Sequence, residues 1–162
     1  MIQMPTKYRK FFHSDRPVVA GMIKALYAED PSGWPMTDAK IEATFKSLAK
    51  RPELGCIMVL EEGSGIIGYA ILINYLSNEY GGNVLHIDEL YVVPERRGQG
   101  VGTDFIRHLI GTRFNDAVAI QLEVHQGNKR ARALYERIGF RPSASTQMVF
   151  EIVRQRPQTA VP

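Results

Sequence analysis

Residues 84–110 constrain the fold more than any other stretch of this chain. A run rich in apolar and β-branched residues, 84–93, passes through Pro94 into Arg96-Arg97-Gly98-Gln99-Gly100-Val101-Gly102-Thr103, after which Ile106, Leu109 and Ile110 recur at helical spacing. A strand must therefore turn through three glycines at alternate positions directly into an amphipathic helix. Glycine permits φ > 0 and lets backbone approach a ligand closely. The first N–H groups of a helix have no carbonyl partner within it, and the helix dipole adds partial positive charge there. A glycine-rich turn alone would merely join a strand to a helix; with Arg96 and Arg97 beside it, the loop becomes an anion site suited to a di- or triphosphate. Its spacing, G-x-G-x-G, meets neither the dinucleotide fingerprint G-x-G-x-x-G nor the nucleotide loop G-x-x-x-x-G-K-[ST].

The flanking stretches set the class. Residues 7–12 read as a short strand. Ser14 and Asp15 cap a helix, Pro17 suits its first turn, and Val18, Met22, Ala25 and Leu26 carry it to about Glu29. After the loop 30–35, Thr37 begins a second helix with Ile41, Thr44, Phe45 and Leu48 on one face, ending before Pro52. From Gly55 the period changes. Residues 56–60 and 66–76 flank a turn as a hairpin, and 79–83 leads into the strand 84–93. Behind the glycine loop the pattern predicts a helix to about Phe114, a strand over 117–125, a helix over 129–138 and a final strand near 147–153. Antiparallel strands feeding a β-loop-α-β-α unit make the class mixed α/β.

The chain of 162 residues is about one domain's worth, read as a single domain over 1–155 with a flexible tail over 156–162. Its 44% apolar and 23% charged residues argue against disorder. No run approaches the roughly 18 apolar residues of a membrane-spanning helix, so no membrane association is expected. The first ten residues lack the apolar core of a secretory signal. Cys56 is the single cysteine, which excludes an intrachain disulfide and points to the cytoplasm. It reads as a small core residue. The net charge of +3 is too mild for a nucleic-acid partner. It is unevenly spread: residues 1–93 carry nine basic and eleven acidic side chains, residues 94–162 eleven and six.

Arg97-x-x-Gly100-x-Gly102, preceded by Leu90-Tyr91-Val92-x-Pro94, resembles the acetyl-CoA signature of the GNAT superfamily, the Gcn5-related N-acetyltransferases. Asn128-Lys129-Arg130-Ala131-Arg132-Ala133-Leu134-Tyr135-Glu136-Arg137-Ile138-Gly139-Phe140 resembles that family's N-x-x-A-x-x-L-Y-x-x-x-G-F segment, at the family's distance from the first. The resemblance implies a single-domain GNAT-like fold: a mixed, mostly antiparallel sheet of six to seven strands flanked by about four helices, splayed at the acetyl-CoA site. It implies acetyl-CoA as cosubstrate. The coenzyme pyrophosphate would lie on Gly98, Gln99, Gly100, Val101, Gly102 and Thr103 beside Arg97, and the pantetheine arm along Leu90, Tyr91 and Val92. Asn128 would bond pantetheine or cap the following helix, and a homodimer is a further implication.

Acyl transfer to an amine needs a neutral amine, stabilised oxyanion charge and a protonated leaving thiolate. The resemblance implies Tyr135 as the acid for that thiolate, a phenol of reference pKa near ~10 against ~8.5 for a thiol; the other reading is an aromatic core residue. Asp88 is favoured for binding or deprotonating the amine, with His86 assisting. Strand parity places His86 and Asp88 on one face and Glu89 on the other, with Leu85 and Ile87, unless a bulge re-aims Glu89 into the same cavity. Pairing with an arginine is the plain alternative for either carboxylate. His13, His108 and His125 are scattered, and no metal is expected. Trp34, Tyr27 and Met36 lie in or beside the interhelical loop, as a wall for the acceptor or an anchor to the core. Glu79 and Tyr80 are weaker acceptor candidates.

The resulting reading is direct transfer of acetyl from acetyl-CoA to a primary amine of a small, cationic molecule. A protein or peptide N-acetyltransferase, acting on N-termini or lysines, is the close alternative. A non-catalytic acyl-CoA-binding regulatory module is the alternative from another class.

Overall fold

The structure, a computed structural model, describes residues 5–30, 34–150 and 152. Its elements run β1 (Lys7–Lys10), α1 (Arg16–Glu29), α2 (Asp38–Lys50), β2 (Gly55–Glu62), β3 (Gly65–Ser77), β4 (Gly82–Val92), α3 (Val101–Thr112), β5 (Ala119–Leu122) and α4 (Lys129–Ile138). The sheet order is β1-β2-β3-β4-β5; every neighbouring pair is antiparallel except β4 and β5, which are parallel.

Local chemistry sets the helix boundaries. Pro17 lies in the first turn of α1, where a missing N–H costs nothing. Thr37 Oγ1 accepts the Lys40 N–H and caps α2. Asn128 Oδ1 accepts the Ala131 N–H at 3.1 Å and caps α4. Gly139, at φ 115°, closes α4 in the left-handed region.

Two cores follow from the alternation of the strands. On one face α1 and α2 bury Val19, Ile23, Ile41 and Phe45 against Val59, Tyr69, Ile71 and Tyr91. On the other, α3 lays Val101, Phe105, Ile106 and Leu109 on Leu60, Leu72, Leu85 and Ile87, with Tyr135 and Ile138 of α4 at the margin. Cys56 packs at the edge of this second core, and burial pushes its thiol pKa up, as befits a structural residue.

Two departures from regular pairing shape the centre. The β3–β4 register pairs Ile71 with Glu89 but Leu72 with Ile87, which leaves Asp88 as an extra residue in β4. The β4–β5 ladder extends only from Val84–Ala119 to Ile87–Leu122, so residues 88–92 have no partner on the β5 side. This is the expected splay.

The sheet has five strands among the described residues, against the six to seven expected. The final strand expected near 147–153 does not form over 147–150, where Met148, Val149 and Phe150 are largely exposed; residues 151 and 153, like the tail 156–162, lie outside the described residues. Apolar alternation there is a local preference, and a strand forms only where it meets a neighbour to pair with. A groove of about 1240 Å³ between β5 and residues 138–147 occupies that side of the sheet.

An ion-pair network ties β1 to α1. Arg9 donates to both carboxylate oxygens of Asp15, at 2.7 and 3.0 Å, and to Glu61 on β2, while Asp15 also accepts the Phe12 N–H. The Arg9 guanidinium holds the buried Asp15 carboxyl below its ordinary pKa. A depressed folded-state pKa means stability present above the unfolded value and lost as pH falls through the folded one. Asp15→Asn is expected to destabilise the protein by about 2–3 kcal/mol at pH 7. The gap to wild type in urea unfolding should close below about pH 4, where the unfolded-state carboxyl protonates. A pH-independent gap would remove the ion pair as its source.

Candidate active site

The glycine loop is built as an anion cradle. After a single 3-10 turn over Pro94–Arg96, Gly98 and Gly100 take φ values of 75° and 86°, the left-handed region that disfavours other residues. Gly100 is the N-cap of α3, so the unpaired N–H groups of Val101, Gly102 and Thr103 face the loop. The nearest described atoms to a Cβ built at Gly98, Gly100 or Gly102 lie at 3.6–3.8 Å, ordinary van der Waals contact. One of them, 3.7 Å from the Gly98 position, is Nη2 of Arg130, which brings a cation from α4 to the loop. The donor set fits a pyrophosphate: backbone N–H groups at a helix start with the Arg130 guanidinium nearby. Arg96 and Arg97 play a different part from the expected one. Arg96 is ion-paired with Glu62, and Arg97 with Glu29 at 2.9 Å. Arg97 Nε also donates to the Val92 carbonyl at 2.7 Å, and its guanidinium lies 5.1 Å over the Tyr91 ring.

The strand end beside the loop is open in the manner an extended ligand requires. The Val93 N–H donates to the Ile67 carbonyl on β3. Backbone groups of successive residues alternate in direction, so Tyr91 pairs towards β3 while Leu90 and Val92 turn their N–H and C=O groups to the open side. The Tyr91 side chain lies in the α1–α2 core and the Leu90 and Val92 side chains in the α3 core. Asn128 spends its side-chain oxygen on capping α4.

The extra residue at Asp88 re-aims the acidic pair. Simple alternation puts Glu89 with Leu85 and Ile87; the bulge instead turns it to the α1–α2 side, opposite Ile71. There it is buried and accepts hydrogen bonds from Tyr27 Oη at 2.9 Å and Tyr69 Oη at 2.7 Å. Burial pushes its pKa up, the two hydroxyls pull it down, and Asp88 pushes it up again. Both tyrosines have raised pKa values, first through burial and then through the Glu89 charge, so they stay protonated donors. Asp88 is about half exposed, with Oδ1 3.9 Å from His86 Nε2. Its pKa is raised by the desolvation of its surroundings, lowered by His86 and raised by Glu123. Among the described residues neither carboxylate is paired with an arginine.

His86 lies opposite Ile73 on β3 and Gln121 on β5, and Gln121 accepts a hydrogen bond from Tyr75. His86, Glu89, Tyr27 and Tyr69 thus share the α1–α2 face with Asp88 at its rim. Tyr135 approaches from the α3–α4 layer, packed edge-on against Phe140, with a pKa raised by burial. Tyr135 and His86 line the same groove along β5, as do Glu79 and Tyr80. Among the described residues no cluster of three His, Cys, Asp or Glu side chains has the geometry to hold a metal ion. Lys40 Nζ lies 6.0 Å from the centre of the Trp34 ring, which is 40% exposed.

Sequence reading missed Tyr69, Glu29 and Glu123. Tyr69 looks like any aromatic in a buried strand, and only the β3–β4 register shows that it meets Glu89. The gathering of positive charge after Pro94 was the visible sign of Arg130.

A five-stranded sheet parted beside a glycine-rich helix start, with layers of two helices on each face, defines an acetyltransferase architecture. Residues 19–140 match the model of the acetyltransferase (GNAT) family, and the chain belongs to that family. It is similar to the thialysine N-epsilon-acetyltransferase of Mus musculus, 34% identical over 79 residues, which are 48% of this chain and 46% of that one. It is also similar to an uncharacterized N-acetyltransferase of Methanocaldococcus jannaschii, 34% identical over 97 residues, 59% of this chain and 43% of the other. The matched residues span less than half the length of each of these curated relatives. A possible acetyltransferase of Clostridium difficile 630 superposes with a TM-score of 0.80 at 20% identity, over 91% of this chain and 98% of that one. A predicted acetyltransferase from Clostridium acetobutylicum, solved with acetyl-CoA, gives 0.71 at 19% identity, over 90% and 96%.

The loop assignment has a direct test. Gly100→Glu places a bulky anion at a φ of 86°, at the start of α3. Coenzyme A binding, followed by calorimetry, is expected to be lost while the far-ultraviolet circular dichroism stays that of the wild type. Undiminished affinity would relocate the phosphate site.

Proposed function

We propose that this protein transfers the acetyl group of acetyl-CoA to a primary amine of a small cationic molecule. The observation that carries this reading is the pairing of an anion cradle at Gly98–Thr103 with an acidic, tyrosine-lined face on the opposite side of the β4 splay. The family match and the relative named for thialysine support an amine acceptor. The acidic character of Glu89, Asp88 and Glu123 supports a cationic one.

Acetyl-CoA supplies the thioester whose carbonyl carbon the amine attacks. Gly98, Gln99, Gly100, Val101, Gly102 and Thr103 hold the pyrophosphate on their backbone, with Arg130 beside them. Leu90 presents its outward-turned backbone groups and Val92 its N–H to the pantetheine arm, the Val92 carbonyl being held by Arg97, and an N–H there stabilises negative charge developing on the carbonyl oxygen. Asn128 Nδ2 is left to donate to the arm once Oδ1 has capped α4.

An ammonium must lose a proton before it attacks. Asp88, accessible at the bulge and raised above its ordinary pKa, accepts that proton directly or through water, and His86 stands 3.9 Å away to share it. Glu89, held by Tyr27 and Tyr69, supplies fixed negative charge that draws the cation in. As the C–N bond forms and the C–S bond breaks, Tyr135 gives its hydroxyl proton to the departing sulfur. Burial, which disfavours the phenolate, makes Tyr135 a reluctant acid, so its contribution depends on position.

Release of free thiol, assayed over polyamines, aminoglycosides, arylalkylamines, amino acids and peptides, tests the reading. Turnover confined to peptides would replace it with a protein acetyltransferase; coenzyme binding with no turnover of any amine would replace it with a binding module.

Two substitutions test the roles. Asp88→Asn removes the base, so turnover should fall about 100-fold at neutral pH. Because the acceptor must then deprotonate unaided, the deficit should be greatest at low pH and shrink towards the amine's own pKa. A uniform deficit at every pH would make Asp88 a binding residue. Tyr135→Phe should lower kcat by about 100-fold and leave the acetyl-CoA Kd unchanged. Unaltered kcat would remove Tyr135 as the acid.

A further inference from the structure

The last turn of α1 is fixed at two points, and each lies on a different half of the site. Tyr27 donates to Glu89 in the acidic face at 2.9 Å. Two residues on, Glu29 accepts from Arg97 Nη2 at 2.9 Å. Arg97 belongs to the segment that enters the glycine loop, and it touches Val92 and Tyr91 as well. The Tyr91 ring lies 6.1 Å from the Tyr69 ring, and Tyr69 Oη donates to the other oxygen of Glu89. The contacts therefore close a ring: Glu89, Tyr27, the α1 backbone, Glu29, Arg97, Tyr91, Tyr69 and Glu89 again.

We propose that Glu29 is a positioning residue whose pairing with Arg97 fastens the end of α1 to the coenzyme loop and so holds Tyr27 on Glu89 in the acceptor face. The inference rests on the acceptor face assigned above. The side chains of Arg97 and Glu29 are 40% and 45% exposed, and an exposed ion pair is ordinarily worth little. Arg97 is different because its guanidinium is already immobilised by the Val92 carbonyl and the Tyr91 ring, so little rotamer freedom remains to be lost. Glu29 is also the last residue of α1, five positions before Trp34, so the fastening acts where the helix gives way to the interhelical loop.

The groups around Glu89 set the expected pH response. Tyr27 on α1, Tyr69 on β3 and Asp88 on β4 face it; burial raises its pKa, and the two hydroxyls offset part of that rise. Loosening α1 withdraws the Tyr27 hydroxyl, and Glu89 then protonates at a higher pH. The site loses its pull on a cation, most severely at low pH.

Glu29→Ala is expected to raise the acceptor KM about fivefold and leave the acetyl-CoA Kd within about twofold. The KM deficit should widen as pH falls. Glu29→Gln, which keeps an oxygen for Arg97, should restore the acceptor KM, whereas Glu29→Lys, a cation against a cation, should raise it about tenfold or more. Tyr27→Phe should raise it too, and adding Glu29→Ala to Tyr27→Phe should bring no further loss. Additive losses, or a Glu29→Gln variant as impaired as Glu29→Ala, would overturn the proposal. A readout without turnover keeps it separate from the reaction itself. Trp34 is the single tryptophan, and coenzyme A is expected to shift its fluorescence in wild type and Glu29→Gln but not in Glu29→Ala. An equal shift in all three overturns the coupling. Wild-type protein that releases no thiol with any amine, yet shows the Glu29-dependent shift, condemns the proposed reaction and leaves the fastening standing.

Discussion

One additional residue in β4 governs how the two halves of the site are arranged. Asp88 interrupts the β3–β4 ladder, and every side chain after it changes face relative to simple alternation. Glu89 leaves the α3 core, where an ionised carboxylate would be without a donor, and enters the α1–α2 layer, where two tyrosine hydroxyls meet it. Leu90 replaces it on the α3 side. Pairing with β5 also stops at Ile87, immediately before the bulge, so the same short stretch begins both the splay and the acidic face.

The site is therefore a junction of two differently built surfaces. The proposed coenzyme side is made chiefly of backbone: positive-φ glycines, the first turn of α3 and the outward-turned groups of Leu90 and Val92. The proposed acceptor side is made of side chains, with Tyr27 and Tyr69 satisfying the buried carboxylate of Glu89. Backbone donors are indifferent to residue identity, which makes the coenzyme surface depend on φ and spacing. The acceptor surface depends on which side chains the register delivers.

That division explains what could be read in advance. Glycines at alternate positions, the strand before them and the helix after them are local patterns, and they led to the glycine turn at a helix start and the class of fold. The β4–β5 splay followed from the family resemblance. The facing of Glu89 did not follow from alternation, since a bulge is a property of two strands and leaves no periodic trace in one. Tyr69 was hidden for the same reason. The ion pairs of Arg96 and Arg97 were hidden too, because Glu62 and Glu29 are distant in sequence and reach the loop only through β2 and α1. The strand expected near 147–153 shows the converse error: residues with the right alternation, but over 147–150 no neighbour to pair with.

The same ion pairs bear on selectivity. The cations of Arg96 and Arg97 are spoken for, which leaves the loop its oriented dipoles and the single guanidinium of Arg130 beside Gly98. A small mobile anion can meet the helix start and one guanidinium, and no more of such a surface. A longer ligand gains at several places together, along the helix start and the unpaired strand. If the loop holds the proposed pyrophosphate, recognition rests on the length and shape of the ligand more than on charge alone.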